Sequence, residues 1–216
     1  MKRKRSRAAS TELPTVSICI PVHNGVVAIE GSDQTWLDAC LESVLTQTYE
    51  GPLEVSIFDD ASDDETGQAI RAWTPRLEAA GVSVVASGSR WGDALLATPA
   101  GGIGVAKNRA VRQSTGEFLC FLDVDDVLLP KRVELQLAAS MKHRRAIVGS
   151  GFVREPADAT AHYAAWANGM SPKQLWLEQF RETTVSLFTV TFCARILLPN
   201  DLTCPPLYTT YTIFCV

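Results

Sequence analysis

Asp123, Asp125 and Asp126 fall within four positions at the end of an apolar run, in FLDVDDVLLP (121–130). Like charges this close repel, and each resists leaving water, so a cluster on half-buried ground needs a cation or water to relieve it. Hard ions such as Mg²⁺ or Mn²⁺ are held by one or two carboxylates and complete their shells with water and a ligand's phosphates. Two further polar groups follow strand-like runs: His23 with Asn24, and DDASDD from Asp59 to Asp64. In open parallel sheets ligands bind beyond the carboxyl ends of the strands, so folding should bring all three groups to one edge. A divalent ion with a nucleotide diphosphate is the chemistry this pattern suits.

The elements that must carry these groups alternate along the chain. TVSICIP (15–21) is β-rich, and 35–48 then places Trp36, Leu37, Cys40, Leu41, Val44 and Leu45 on one helical face. LEVSIF (53–58) is the next strand, followed by a polar start at Ser62 to Asp64 and a helix carrying Ile70, Trp73 and Leu77. The order repeats with VSVVAS (82–87), a loop through Gly101, Gly102 and Gly104, a helix near 105–114, and EFLCFL (117–122). This βαβα order predicts a doubly wound, mostly parallel sheet with helices on both faces.

Composition bounds the class. The chain has 216 residues, 46% hydrophobic and 20% charged, as in an ordinary globular domain with a real core. Six cysteines are scattered without a CxxC pair, several inside apolar runs, which argues for reduced thiols and against structural zinc. Lys2, Arg3, Lys4, Arg5 and Arg7 make the start basic; the net charge of −4, less these five cations, is −9 for the rest. Residues 1–14 read as a solvated arm, with nuclear import or RNA attraction as sharper alternatives. No apolar signal-peptide core follows the basic start, and the longest apolar run, 183–194, is too short to span a membrane, so a cytoplasmic or nuclear location is expected.

Four blocks, VSICIPVHN, WLDACLESVLTQTY, EVSIFDDASDDETG and AKNRAVRQSTGEFLCFLDVDD, resemble the family 2 glycosyltransferases of the GT-A fold, in that order and spacing, over about residues 15–153. Within the family the wording is similar to enzymes that place galactose on queuosine in tRNA. The resemblance implies an inverting, metal-dependent hexosyltransferase with a UDP-sugar donor, a Mn²⁺ or Mg²⁺ cofactor, and tRNA as a partner. It divides the chain into the basic tail 1–14, a GT-A domain over 15–190, and a divergent tail over 191–216.

The same resemblance carries roles to matching residues. Pro21, Val22, His23 and Asn24 are implied to line the base and ribose, and Asp59 or Asp60 to hydrogen-bond the uracil. Lys107, Asn108 and Arg109 are implied to face the diphosphate. Asp123 would touch the ribose, Asp125 would hold the metal, and Asp126 would brace the loop. Other residues have plainer readings: Asp63 and Asp64 as helix-start residues, His23 as a strand-end cap, the glycines at 101, 102 and 104 as turn formers, and Tyr163, Trp166 and Trp176 as core, with an aromatic platform for a sugar or base as the alternative for these three.

A member of this family is expected to continue past about residue 180 with a glycine-rich acceptor segment and a Glu-Asp pair holding the base. No Glu-Asp dipeptide occurs, and ARILLPNDLTCPPLYTTYTIFCV contains no glycine. The expectation is therefore an incomplete acceptor half, with no catalytic residue assigned among Glu155, Glu178 and Glu182. A module that holds the donor without turnover is the second reading. An acidic-cluster receiver domain is a third, and the AKNRAVRQSTGEFLCFLDVDD block does not fit it.

Overall fold

The structure is a computed structural model that describes residues 12–92, 98–143, 146–156, 158–177, 192–194 and 212–215. The elements run β1 (Val16–Val22), α1 (Trp36–Leu45), β2 (Leu53–Asp59), α2 (Thr66–Ala79), β3 (Ser83–Gly88), α3 (Ile103–Gln113) and β4 (Phe118–Phe121). They continue with α4 (Arg132–Lys142), β5 (Ala146–Gly149), α5 (Ala161–Asn168), α6 (Pro172–Leu177), β6 (Phe192–Ala194) and β7 (Thr212–Cys215). Through β4 they match the expected order closely; α4 to β7 lie beyond the elements expected from the sequence.

One sheet has the order β3-β2-β1-β4-β6-β5-β7. The pairs β3–β2, β2–β1 and β1–β4 are parallel, whereas β6 runs antiparallel to β4 and β5. The fold is thus the mixed α/β arrangement with a parallel central sheet that the sequence predicts. Two short strands from 191–216, β6 and β7, pair into the same sheet.

Strand side chains alternate between two cores. Ile18, Ile20, Ile57, Phe118 and Cys120 pack with Leu37 and Leu41 of α1, Ile70 and Leu77 of α2, and Val133 and Leu137 of α4. Cys19, Phe58 and Leu119 pack instead with Ala106, Ala110 and Val111 of α3. Every residue of β1 and β2 is buried, as expected for strands covered on both sides. The small alanines let α3 approach closely enough for Ser56 Oγ to donate to the Ala110 carbonyl at 2.6 Å.

The arrangement has a topological reason. The chain winds outward from β1 to β3 with α1 and α2 on one face, then returns across the sheet to β4 with α3 on the other. The order reverses between β1 and β4, where the connecting segments diverge and leave a crevice.

One expectation is corrected. Trp166 is 40% exposed, and α5 buries none of its residues. Tyr163 sits between Phe152 and Trp166 with ring centroids 6.1 and 6.0 Å apart, a surface aromatic row outside the main core. The side chain of Trp176 lies outside the described residues. Cys19, Cys40 and Cys120 are buried free thiols, as their apolar settings predict; Cys193, Cys204 and Cys215 fall outside the described side chains.

Candidate active site

Register brings the polar strand ends together. Val22 pairs with Asp59, and Asp59 with Gly88, so β1, β2 and β3 end at one level. Cys19 pairs with Phe121, and the Leu122 amide donates to the Cys19 carbonyl at 3.1 Å, so the chain carrying Asp123–Asp125 runs on beside Pro21–His23.

The turn after β1 is laced to the segment before α2. Asn24 has φ +52°; its amide donates to Ser62 Oγ at 2.8 Å and its Oδ1 accepts from the Asp63 amide at 3.0 Å. The Gly25 amide donates to Thr66 Oγ1 at 2.7 Å, and the Val26 amide to Asp64 Oδ2 at 3.2 Å. Asp64 also accepts from the Thr66 amide at the start of α2, the helix-start role expected of it. Burial raises its carboxyl, but the hydrogen bonds from Thr66 and Val26 prevail and hold it below the ordinary range. Gly25 is needed for closeness: a Cβ there would stand 2.9 Å from Val22 Cγ1 and 3.1 Å from Val124 Cγ2.

Asp59 and Asp60, both 3% exposed, serve different neighbours. Asp59 Oδ1 accepts from the Ser62 amide at 3.0 Å and Oδ2 from Trp91 Nε1 at 2.6 Å. Asp60 accepts from the Gly101 amide at 3.0 Å and the Gly102 amide at 2.7 Å, so it anchors the entry to α3. Gly102 caps that helix with φ +87°, a conformation that suits glycine, so this turn-former reading holds. His23 Nδ1 lies 2.9 Å from the Asp60 carbonyl, which can only accept, so Nδ1 carries the proton and donates to it from an exposed ring.

The acidic turn is held from three sides. Lys107 Nζ lies 3.0 Å from Asp123 Oδ1 and donates to Oδ2 at 3.3 Å. The Asp126 amide donates to the Asp123 carbonyl at 3.1 Å, and Arg132 donates to the Phe121 carbonyl at 3.0 Å. Burial pushes the Asp123 carboxyl above its ordinary value; Lys107 opposes this, while Asp126 and Asp125 add to it. Although Asp123 Oδ1 lies close to Lys107, it is buried and accepts no hydrogen bond, a lone pair left for another partner. Asp125 is exposed.

These pieces wall a cleft of about 600 Å³ lined by Pro21, Val22, His23, Asn24, Asp60, Asp123 and Asp125, together with Gly25, Val27, Trp36, Ala100, Gly102, Ile103, Ala106 and Val124. Asp59, Lys107, Asn108 and Arg109 are not on its wall. Asp59 turns to Trp91, Lys107 stands behind Asp123, and the Arg109 guanidinium lies 6.0 Å from the centre of the Phe58 ring. Among the described residues no three His, Cys, Asp or Glu side chains converge as a metal cage. Asp123 and Asp125 form instead a two-carboxylate set, which fits Mn²⁺ or Mg²⁺ that takes its other ligands from water and phosphate. Trp36 was not expected on the wall. The Thr35–Asp38 capping box was its available signal: both reciprocal hydrogen bonds are present, and they fix where α1 begins. Glu155 is exposed, and Glu178 and Glu182 lie outside the described residues.

Similarity to known proteins bears on the family and the fold. The sequence profile described as "Glycosyl transferase family 2" matches residues 17–199. A chondroitin synthase of Escherichia coli is 34% identical over 139 residues, 63% of this chain and 17% of that protein. The chondroitin synthase of Pasteurella multocida is 32% identical over 135 residues, 61% of this chain and 11% of that protein. This chain therefore spans less than a fifth of the length of these two relatives. Among solved structures, the mannosyltransferase PcManGT from Pyrobaculum calidifontis, in complex with GDP-Man and Mn²⁺, superposes with a TM-score of 0.50 at 21% identity. That match covers 73% of this chain and 41% of the other, and it supports the fold.

Proposed function

Because the chain belongs to glycosyl transferase family 2, we propose that its cleft binds a UDP-sugar with Mn²⁺ or Mg²⁺ and presents the sugar for inverting transfer. The observation that carries this reading is the meeting of Asp123 and Asp125 with Pro21–Asn24 and Asp60 on one cleft at the β1–β4 switch point. Transfer breaks the bond between the sugar's anomeric carbon and the diphosphate oxygen, leaving negative charge on the diphosphate. A bound cation would neutralise that charge.

The chain's own residues bind and orient. Pro21–Asn24 and Asp60 hold the base and ribose, with Asp60 keeping lone pairs beyond those given to Gly101 and Gly102. Asp123 meets the ribose and, through the oxygen lacking a hydrogen bond, the metal shell; Asp125 holds the metal. Asp126 braces the turn through its amide. Lys107 supplies positive charge behind Asp123, on the side proposed for the diphosphate. The wording of the four sequence blocks favours galactose as the sugar and queuosine in tRNA as the acceptor. The basic stretch Lys2–Arg7 supplies charge of the sign that attracts a phosphate backbone. A tRNA acceptor would place the protein in the cytoplasm or nucleus.

Titration with UDP in Mn²⁺ and in EDTA, followed by transfer from UDP-galactose to queuosine-containing tRNA, tests the proposal. The expected result is tighter UDP binding with the metal, preference over GDP, and galactosylated tRNA. Equal UDP affinity in EDTA removes the metal from the reading, and absence of UDP binding removes the reading itself. Binding without transfer would leave a donor-holding module.

A further inference from the structure

The two acids that end β2 hold the two ends of the β3–α3 connection. At its leading end, Asp59 Oδ2 accepts from Trp91 Nε1 at 2.6 Å, while the Asp59 carbonyl accepts from the Ser89 amide at 2.9 Å. At its trailing end, Asp60 takes the Gly101 and Gly102 amides. The ends also touch each other, since the Thr98 amide donates to the Ser89 carbonyl at 3.3 Å.

The Trp91 ring has a slot cut for it. A Cβ on Gly88 would stand 2.6 Å from Trp91 Cδ1 and Nε1, and one on Gly67 of α2 would stand 2.8 Å from Nε1. The Arg71 guanidinium lies 5.2 Å from the ring centre. Asp59 is too buried to be solvated and depends on the donors it has, the Ser62 amide and this indole. A ring kept only for its bulk would not need its N–H aimed at a buried carboxylate.

We propose that Asp59 and Trp91 are positioning residues for the donor cleft: they fasten residues 88–91 and, through Ser89 and Thr98, steady 98–102. That places Ala100, Gly102 and Ile103 on the cleft wall. Asp59 therefore acts through the wall and not on the base, and the inference rests on the cleft being the donor site.

Trp91→Phe keeps most of the ring and removes the N–H. Gly88→Ala keeps the N–H and fills the slot. Both are compared with the wild-type full chain by amide hydrogen exchange and by UDP titration in Mn²⁺ and in EDTA. In each variant the amides of Ser89, Thr98, Gly101 and Gly102 should exchange about tenfold faster, while those of Asn24 and Gly25 hold their wild-type rates. The UDP dissociation constant in Mn²⁺ should rise about tenfold, because wall contacts bind donor uniformly. The factor by which EDTA weakens UDP should match wild type, since Asp123 and Asp125 are untouched; a role in general stability alone would leave UDP affinity in place. Wild-type exchange at 98–102 in both variants overturns the proposal, as does faster exchange with unchanged UDP affinity. If the wild-type protein binds no UDP, the donor reading fails and the exchange rates alone decide the clamp.

Discussion

Replacing Asp60 with asparagine separates a tether from a base reader. The carboxylate accepts from two backbone amides at 3.0 and 2.7 Å at a position 3% exposed. Asparagine offers one acceptor oxygen, and its NH₂ faces the second amide donor to donor. One buried N–H is left without an acceptor, at about 1–3 kcal/mol. The remaining bond loses its charge assistance, a further ~1 kcal/mol. The sum is about 3 kcal/mol, which for a domain of this size lowers Tm by roughly 6–12 °C. Differential scanning calorimetry of Asp60→Asn beside wild type reads the shift, and exchange at Gly101 and Gly102 locates it. A Tm within about 2 °C of wild type, together with lost UDP binding, would refute the reasoning and make the amide contacts incidental to a base-reading acid.

Asp125→Ala should abolish the advantage Mn²⁺ gives to UDP binding while leaving Tm within about 1 °C, because the side chain is exposed on a turn; isothermal titration with and without EDTA checks both. Gly25→Ala should cost about 1–3 kcal/mol by overpacking and also weaken UDP, since the added methyl presses on Val124 between the two site carboxylates; adding Val124→Ala should return part of both losses in a double-mutant cycle. Asp38 gives a pH signature. Burial raises its carboxyl, but hydrogen bonds from Thr35 and Trp73 and the charge of Arg76 outweigh this and hold it below 3.8. Its stabilisation is therefore present above 3.8 and lost as pH falls through the depressed folded value, so the Tm gap between wild type and Asp38→Asn should be full near neutrality and close in acid.

The first four strands and three helices were legible because their signals are local. TVSICIP and LEVSIF are β-rich runs, and Leu37, Cys40, Leu41 and Val44 repeat at helical spacing, so backbone preference and burial agree. The common edge of His23–Asn24, Asp59–Asp64 and Asp123–Asp126 was legible too, since parallel strands joined by helices must end together. Beyond β4 the chain departs from that rule: β6 runs antiparallel and comes from a distant segment, a pairing that no period along the chain encodes. Trp166 was misplaced for a related reason, because an aromatic side chain records appetite for burial but not whether a neighbour arrives to cover it.

Within the site, residue types and their places after strands indicated that acids and an imidazole would gather and what chemistry they could support, while Lys107 entered only through the family resemblance. Only the tertiary structure decided which acid does what. Asp59 and Asp60 are adjacent in sequence, yet alternation along the strand end sends one carboxylate to the Trp91 indole and the other to the Gly101 and Gly102 amides. Those partners lie 32 to 42 positions away. Hydrogen bonding acts at about 3 Å through space, and chain separation says nothing of it until the sheet has closed the distance.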